Sequence, residues 1–251
     1  KYHDVKLPDV LGFFGGKRFV PIAASVASIV MALVFGYVWP PVQDAIHRVG
    51  EWLLGAGLLG AFTFGTLNRL LLPLGLHHVL NSMVWFVFGE FTNAAGAVVT
   101  GDLHRFFAGD PTAGVFMTGF FPIMMFGLPA AALAMYVTAK TKRRKVAAGL
   151  LLSAAVASFV VGVTEPLEFA FMFLAPWLYL VHAVFTGISL AISAILPVRM
   201  GFGFSAGGLD LLLGWMNPLA QNPWIILIMG VFWFVVYFLV FRFLILKFQL
   251  K

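Results

Sequence analysis

Long uncharged apolar runs dominate the chain. Residues 169–197 contain no Asp, Glu, Lys or Arg, which suffices for one membrane span or for two shorter segments broken near Gly187. Residues 21–39 and 224–241 are two further runs without charge. None of the three alternates between apolar and polar residues as a barrel strand does. The pattern therefore predicts an all-α fold of transmembrane helices.

Polar and helix-breaking residues separate these runs. Pro40 and Pro41 are expected to end the first span, and residues 43–54 have the amphipathic pattern of an interfacial helix. Residues 92–111 are polar and predict a loop. Residues 139–145, AKTKRRK, carry the densest basic cluster. Under the positive-inside rule this cluster predicts a cytoplasmic loop, whereas a merely solvated loop would favour neither side.

Composition supports the membrane interpretation. The 251 residues are 61% hydrophobic and only 10% charged, whereas soluble domains carry about 25% charged residues. A soluble protein with a large core is the alternative, but so few charges do not cover a water-facing surface. The net charge of +6 lies in short clusters at segment ends, so we expect no nucleic-acid partner.

No cofactor or metal is expected. The chain has no Cys, which excludes thiolate metal sites and thiol catalysis. Its six His are scattered and show no metal-binding spacing.

Two apolar segments are interrupted by Pro and Gly. Residues 72–91 combine Pro73 with His77, His78 and Asn81, a set that a straight lipid-facing helix would not carry. Irregular backbone at membrane depth is tolerated only where protein or a water-filled cavity surrounds it. A hydrogen-bonding site is therefore favoured here over two core histidines. Together with a second interruption at residues 162–168, the pattern is typical of a transporter's binding site.

The second interruption holds two carboxylates, in the stretch VVGVTEPLEF. A charge at a helix centre in the membrane costs about 2.5–3.5 kcal/mol. We expect one helix to end at Gly162 and another to begin near Pro166, with Glu165 at the break, where its carboxylate would accept hydrogen bonds from a sugar diol. The alternative is that Glu165 only caps the second helix. Glu168 would either join the site or pair with a basic residue.

Several longer motifs resemble one family. They are LGFFGGKRFVPI, PLGLHHVLN, GEFTNAAG, GDLHRFFAGDPTAG and GVTEPLEFAFMFLAP. Together they resemble enzyme IIC, the membrane component of the phosphoenolpyruvate-dependent sugar phosphotransferase system, in its glucose/N-acetylglucosamine family. The wording FPIMMFGLPAAALAMY favours the N-acetylglucosamine branch over the glucose branch.

The resemblance implies a multi-pass homodimer in the bacterial plasma membrane that works as an elevator. Residues 1–60 would end a scaffold region and 61–251 would form the transport domain. Sugar would be carried inward and phosphorylated at its 6-hydroxyl by a IIB domain, whose phosphocysteine is not on this chain. The match begins at a loop, so we expect the family's first spans to be missing here.

The resemblance also implies site residues. The Glu of the G-[IV]-T-E-P motif and the His of the GLH motif would contact the sugar, and their neighbours would share the site. On this sequence the set is His77, Glu165, Thr164, Glu168, Asn81, His78, Lys17 and Arg18. From the residues alone, Lys17 and Arg18 after Gly15-Gly16 predict a membrane-interface anchor, since the P-loop spacing is absent.

Two other functions compete with a sugar permease. A proton- or sodium-coupled secondary transporter would use Glu165 or Asp210 as its ion site. A receptor or structural membrane protein would have no need for two broken polar segments. Dependence of uptake on phosphoenolpyruvate and IIB separates the first two, and sugar binding separates the third.

Overall fold

The computed structural model describes residues 3–249, without the side chains of residues 141–143, 146 and 174. It divides into two compact units, Lys1–Val49 and Gly50–Lys251. The division into scaffold and transport domains at residue 60 is a division by role and stays a prediction.

The first unit consists of two 3₁₀ turns, Asp9–Phe14 and Gly16–Arg18, and most of helix α1, Phe19–Gly55. The prediction that Pro40 and Pro41 end this helix is wrong, because α1 continues through both, and no separate interfacial helix forms at 43–54. Each proline removes one amide donor from the helix and crowds the carbonyl four residues earlier, yet the helix continues through both. Membrane helices tolerate such losses where neighbouring groups adjust.

The second unit contains the remaining elements. Its helices are α2 (Leu58–Leu71), α3 (His77–Ser82), α4 (Asp102–Phe107), α5 (Phe120–Pro122), α6 (Leu128–Thr138), α7 (Thr141–Val161), α8 (Glu165–Leu174), α9 (Pro176–Ile195), α10 (Gly208–Trp215) and α11 (Trp224–Lys247). A π-helical segment, Ile123–Gly127, joins α5 to α6, and another, Met83–Val87, follows α3.

Four helical stretches are long and apolar enough to cross a membrane. They are Gly16–Gly55, Phe120–Thr138, Pro176–Ile195 and Trp224–Lys247. The polytopic helical fold predicted from the apolar runs is confirmed. Pro122 and Pro129 do not divide the second stretch. Pro122 lies in its first turn, where no amide donor is required, and Pro129 is the second residue of α6, directly after the π-helical segment.

Of the two alternatives for residues 169–197, the one with a break near Gly187 is not observed. Gly187 lies inside α9, and the interruption falls at Ala175, which has φ −155° and ψ 83°. The following Pro176 disfavours a helical conformation for the residue before it. Gly187 instead allows α9 to approach α2, since a Cβ there would collide with the side chain of Thr66.

Two polar segments are more ordered than predicted. Residues 92–111 were expected to be a loop, but they hold part of a hairpin, strands β1 (Glu90–Thr92) and β2 (Val98–Thr100), and helix α4. The basic cluster is mostly helical, because α7 begins at Thr141. The side of the membrane on which this cluster lies stays a prediction, and the side chains of Lys142 and Arg143 lie outside the described residues.

Candidate functional site

The break predicted at residues 162–168 is present between α7 and α8. Gly162 ends α7 in the left-handed conformation, φ 78°, and its N–H bonds to carbonyls of the last turn. Only glycine adopts this conformation readily. Ser205 donates to the Gly162 carbonyl over 2.9 Å and fixes the end of the helix. Helix α8 then begins at Glu165, with Pro166 in its first turn.

The break predicted within residues 72–91 is present between α2 and α3. After Leu71 the chain makes a 3₁₀ turn, Leu72–Leu74, and Gly75 takes a left-handed φ of 70°. Helix α3 restarts at His77. This turn buries His77 and Asn81 but leaves His78 exposed beside the His77 ring, with centroids 4.0 Å apart.

A buried ion pair connects the two broken segments. Arg69, in the last turn of α2, donates through Nη1 to Glu168 Oε1 of α8 over 2.7 Å. The same nitrogen lies 3.3 Å from Thr164 Oγ1. The Glu168 side chain is 0% exposed and that of Arg69 is 7% exposed. A buried charge without a partner is strongly destabilising, so Arg69 and Glu168 depend on each other. The pair therefore holds α2 against α8.

Hydrogen bonds extend the ion pair on both sides. Arg69 Nη2 donates to Asn68 Oδ1 over 2.8 Å, and Asn68 in turn donates to Asn81 of α3. On the other side, His182 of α9 lies 3.0 Å from Glu168 Oε1. The hydroxyl of Tyr179 donates to the Arg69 carbonyl. The network therefore joins the α3 break to the α8 break through α2.

The remaining predicted residues have different surroundings. Glu165 is half-buried and has no hydrogen bond to a described residue, and no side-chain bond caps the start of α8. Glu165 nevertheless lies in the first turn of α8, where a negative charge is favourable, so the capping alternative stays open in that form. Glu165, Glu168 and Arg69 all lie close enough to His77 for their charges to interact with its ring.

Lys17 and Arg18 lie in the first unit and are exposed. The Arg18 guanidinium stacks 4.4 Å from the Phe13 ring centroid and donates to the Phe13 carbonyl over 3.4 Å. Their role in sugar binding stays a prediction.

Asp210 has a structural role in the loop before α10. Its carboxylate accepts the backbone N–H groups of Gly203, at 2.7 Å, and of Phe204 and Ser205. Ser205 is the residue that binds the Gly162 carbonyl. Asp210 thus shapes the loop that supports the α7–α8 break.

Several buried polar atoms of this region have no protein partner among the described residues. They are Glu168 Oε2, Arg69 Nε, His77 Nδ1 and Thr66 Oγ1. The set includes both hydrogen-bond acceptors and donors. Among residues 3–249, no group of three metal-binding side chains occurs.

Sequence reasoning missed Arg69, Asn68 and His182. Arg69 was a charged residue in an apolar run, and that alone is a signal of function or pairing. His182 was overlooked because a count of Asp, Glu, Lys and Arg treats the run 169–197 as uncharged. The pairing itself could not be read from sequence, since Arg69 and Glu168 are 99 residues apart.

The apolar spans show a polytopic membrane protein, and a charged cluster at two helix breaks is typical of the transporter class. The chain belongs to the family described as phosphotransferase system, EIIC, whose model matches residues 1–187. The resemblance found in the sequence is therefore confirmed. The predicted location in a bacterial membrane is confirmed as well.

The chain is similar over its whole length to several bacterial proteins. It is 60% identical to the N-acetylglucosamine-specific EIICBA component of Escherichia coli K12 and spans 39% of that protein. It is 54% identical to the N-acetylglucosamine-specific EIIC component of Streptomyces coelicolor, of which it spans 60%. A glucose-specific EIICBA component of Staphylococcus carnosus is 45% identical, and the chain spans 38% of it. The chain thus covers less than two thirds of these curated relatives.

Proposed function

We propose that this chain is the sugar permease of an N-acetylglucosamine phosphotransferase system. It carries the sugar inward, and a IIB domain phosphorylates the 6-hydroxyl. The chain itself supplies binding and translocation, because it has no Cys to carry the phosphoryl group. The protein works as a homodimer of elevator type, as the family resemblance implies.

The observation that carries this proposal is the Arg69–Glu168 pair between the two broken segments. Breaks of this kind are where transporters form substrate sites. The pair holds the breaks at a fixed separation, and Glu165, His77 and Asn81 lie on the same two segments. Glu165 accepts hydrogen bonds from sugar hydroxyls, and His77 and Asn81 supply further polar contacts.

The choice of sugar follows the names of the relatives. Proteins named for N-acetylglucosamine are 54–60% identical to the chain, whereas those named for glucose are 45–46% identical. Glucose is the second candidate substrate, and the two sugars share every hydroxyl except the one that the acetamido group replaces.

Binding and uptake together test the proposal. Calorimetry on purified protein compares N-acetylglucosamine, glucose and maltose, with N-acetylglucosamine expected to bind most tightly. Uptake in cells is expected to require phosphoenolpyruvate and IIB and to persist after the proton gradient is collapsed. Uptake that stops with the gradient would instead indicate a proton-coupled transporter, and absence of sugar binding would overturn the proposal.

A further inference from the structure

His182 is a fully buried histidine with two specific partners. It lies in α9, and its side chain is 0% exposed. Its Nε2 is 3.0 Å from Glu168 Oε1, and its Nδ1 is 2.7 Å from the Tyr237 hydroxyl of α11. The rings of Phe171, Tyr179 and Tyr237 surround it, with centroids 5.7–6.0 Å away.

The partners determine which nitrogen carries the proton in the neutral ring. Glu168 forms an ion pair with Arg69, so its carboxylate only accepts hydrogen bonds. His182 Nε2 must therefore donate to it. Nδ1 is then the acceptor, and the Tyr237 hydroxyl donates. The result is a directed chain from Tyr237 through His182 to Glu168.

Two donors converge on one oxygen of Glu168. Arg69 Nη1 and His182 Nε2 both bind Oε1, whereas Oε2 has no protein partner among residues 3–249. One donor alone would leave the carboxylate free to rotate about its terminal torsion. The second donor, mounted on a 20-residue helix, fixes that rotation and so fixes the guanidinium that pairs with it.

We propose that His182, oriented by Tyr237, is a positioning residue for sugar binding. It acts through Glu168 and holds Arg69 in the orientation that the sugar site requires. It does not touch the sugar. The inference rests on the proposed function, because it assumes that the Arg69–Glu168 pair shapes a sugar site.

Substitutions that keep or remove the donor test this role. His182→Gln places an amide N–H near the position of Nε2 and keeps the bond to Glu168, whereas His182→Leu removes it. Ser189→Ala is the matched control, since Ser189 is also buried on α9 but donates to the Gly119 carbonyl, away from the ion pair. Tyr237→Phe removes only a hydroxyl. It tests the hydrogen bonds from Tyr237 through His182 to Glu168 with little change in packing.

The readouts are the Kd for N-acetylglucosamine, the KM and kcat of IIB-dependent phosphorylation, and the melting temperature. His182→Leu is expected to raise Kd and KM about tenfold, since a hydrogen bond to a charged group is lost. His182→Gln should stay within about threefold of the unsubstituted protein, with kcat little changed in both variants. Tyr237→Phe should raise Kd less than His182→Leu does, by about threefold. Ser189→Ala should lower the melting temperature without raising Kd.

A double-mutant cycle locates the action at Glu168. In a Glu168→Gln background, His182→Leu is expected to raise Kd by less than about twofold, because the residue through which it acts is already altered. Equal defects in His182→Leu and His182→Gln would show a packing role and overturn the inference. An unchanged Kd in His182→Leu would also overturn the inference. If His182→Leu does not fold, an unchanged Kd in Tyr237→Phe would overturn it instead. Failure of the unsubstituted protein to bind sugar would overturn the proposed function as well.

Discussion

Arg69 and Glu168 form an ion pair of 2.7 Å in which both side chains are almost entirely buried. One residue lies just before the α2–α3 break, and the other lies one turn into the helix that follows the α7–α8 break. The pair therefore holds two irregular segments together at the point where regular helix packing is interrupted. It also stacks against the Phe120 ring, 5.1 Å from the Arg69 guanidinium.

Breaking this pair from either side is expected to destabilise the fold. Arg69→Met or Glu168→Gln leaves one buried charge without its partner, at a cost of about 3–5 kcal/mol. Replacing both, as Arg69→Met with Glu168→Leu, should recover much of that loss, because no unpaired charge remains. Thermal unfolding in detergent measures stability, and calorimetry measures sugar binding.

Recovery of stability without recovery of sugar binding would support a role for the pair in the site. If the double variant binds N-acetylglucosamine as tightly as the unsubstituted protein, the pair is structural only. Arg105 and Asp110, another ion pair at 2.7 Å, supply the control, since neutralising both should leave sugar binding unchanged.

The sequence predicted the two breaks because each depends on local residue chemistry. Gly162 and Gly75 both take left-handed φ values, and glycine is the residue that does so without strain. The break before Pro176 was not predicted from the sequence, whereas Gly187 serves close helix packing. A glycine in an apolar run can mark either a helix break or a close helix contact. Only the position of the neighbouring helix distinguishes the two.

The partners within the site could not be predicted in the same way. Asn68, Arg69 and Asn81 lie near one another in sequence, but their connection to Glu168 and His182 arises from the packing of α2 against α9. Pro40 and Pro41 show the same limit of local rules, because α1 continues through both of them into the amphipathic residues 43–54.

Glu165 and His77 are expected to contact the same sugar. Glu165→Gln removes the charge but keeps the size, and Kd should rise about tenfold or more because charge-assisted hydrogen bonds contribute about 1.5–3 kcal/mol. The melting temperature should stay nearly constant, since Glu165 is half-buried and has no hydrogen bond to a described residue. Glu90→Gln, at an exposed position of the hairpin, is the control.

Combining Glu165→Gln with His77→Ala tests whether the two contacts are coupled. The electrostatic interaction between these residues and a shared ligand lead us to expect a coupling of about 0.5–3 kcal/mol in the sugar Kd. Losses that add strictly would mean that the two breaks belong to separate sites. His104→Ala, an exposed histidine after the hairpin, should show no coupling to Glu165.

The basic start of α7 is expected to face the cytoplasm. Lys140 precedes the helix and is exposed, and the chain has no native Cys, so Lys140→Cys introduces a unique thiol. An impermeant maleimide added to intact cells should not label it, because basic loops stay on the cytoplasmic side. Labelling after permeabilisation shows that the thiol is accessible. Rapid labelling of intact cells would reverse the predicted topology.

Asp102 is expected to make stability depend on pH. It lies outside the four candidate spans, starts α4, and accepts the N–H groups of Gly114 and Phe116, both at 2.9 Å. Burial raises the pKa of Asp102 to about 6, above the usual 3.8, and outweighs these two hydrogen bonds. The folded protein therefore keeps this proton over a pH range in which the unfolded chain releases it.

The sign of the effect follows from that difference. The stabilisation is fully present below the unfolded pKa of 3.8 and is lost as pH rises through about 6, by up to ~3 kcal/mol in total. The titration of Asp102 should lower the melting temperature as pH is raised from 4 to 7. Asp102→Asn should abolish this part of the pH dependence. Asp44→Asn, at an exposed position, should leave the slope unchanged. If Asp102→Asn instead makes the slope more negative, the amides of Gly114 and Phe116 outweigh burial and hold Asp102 as a carboxylate.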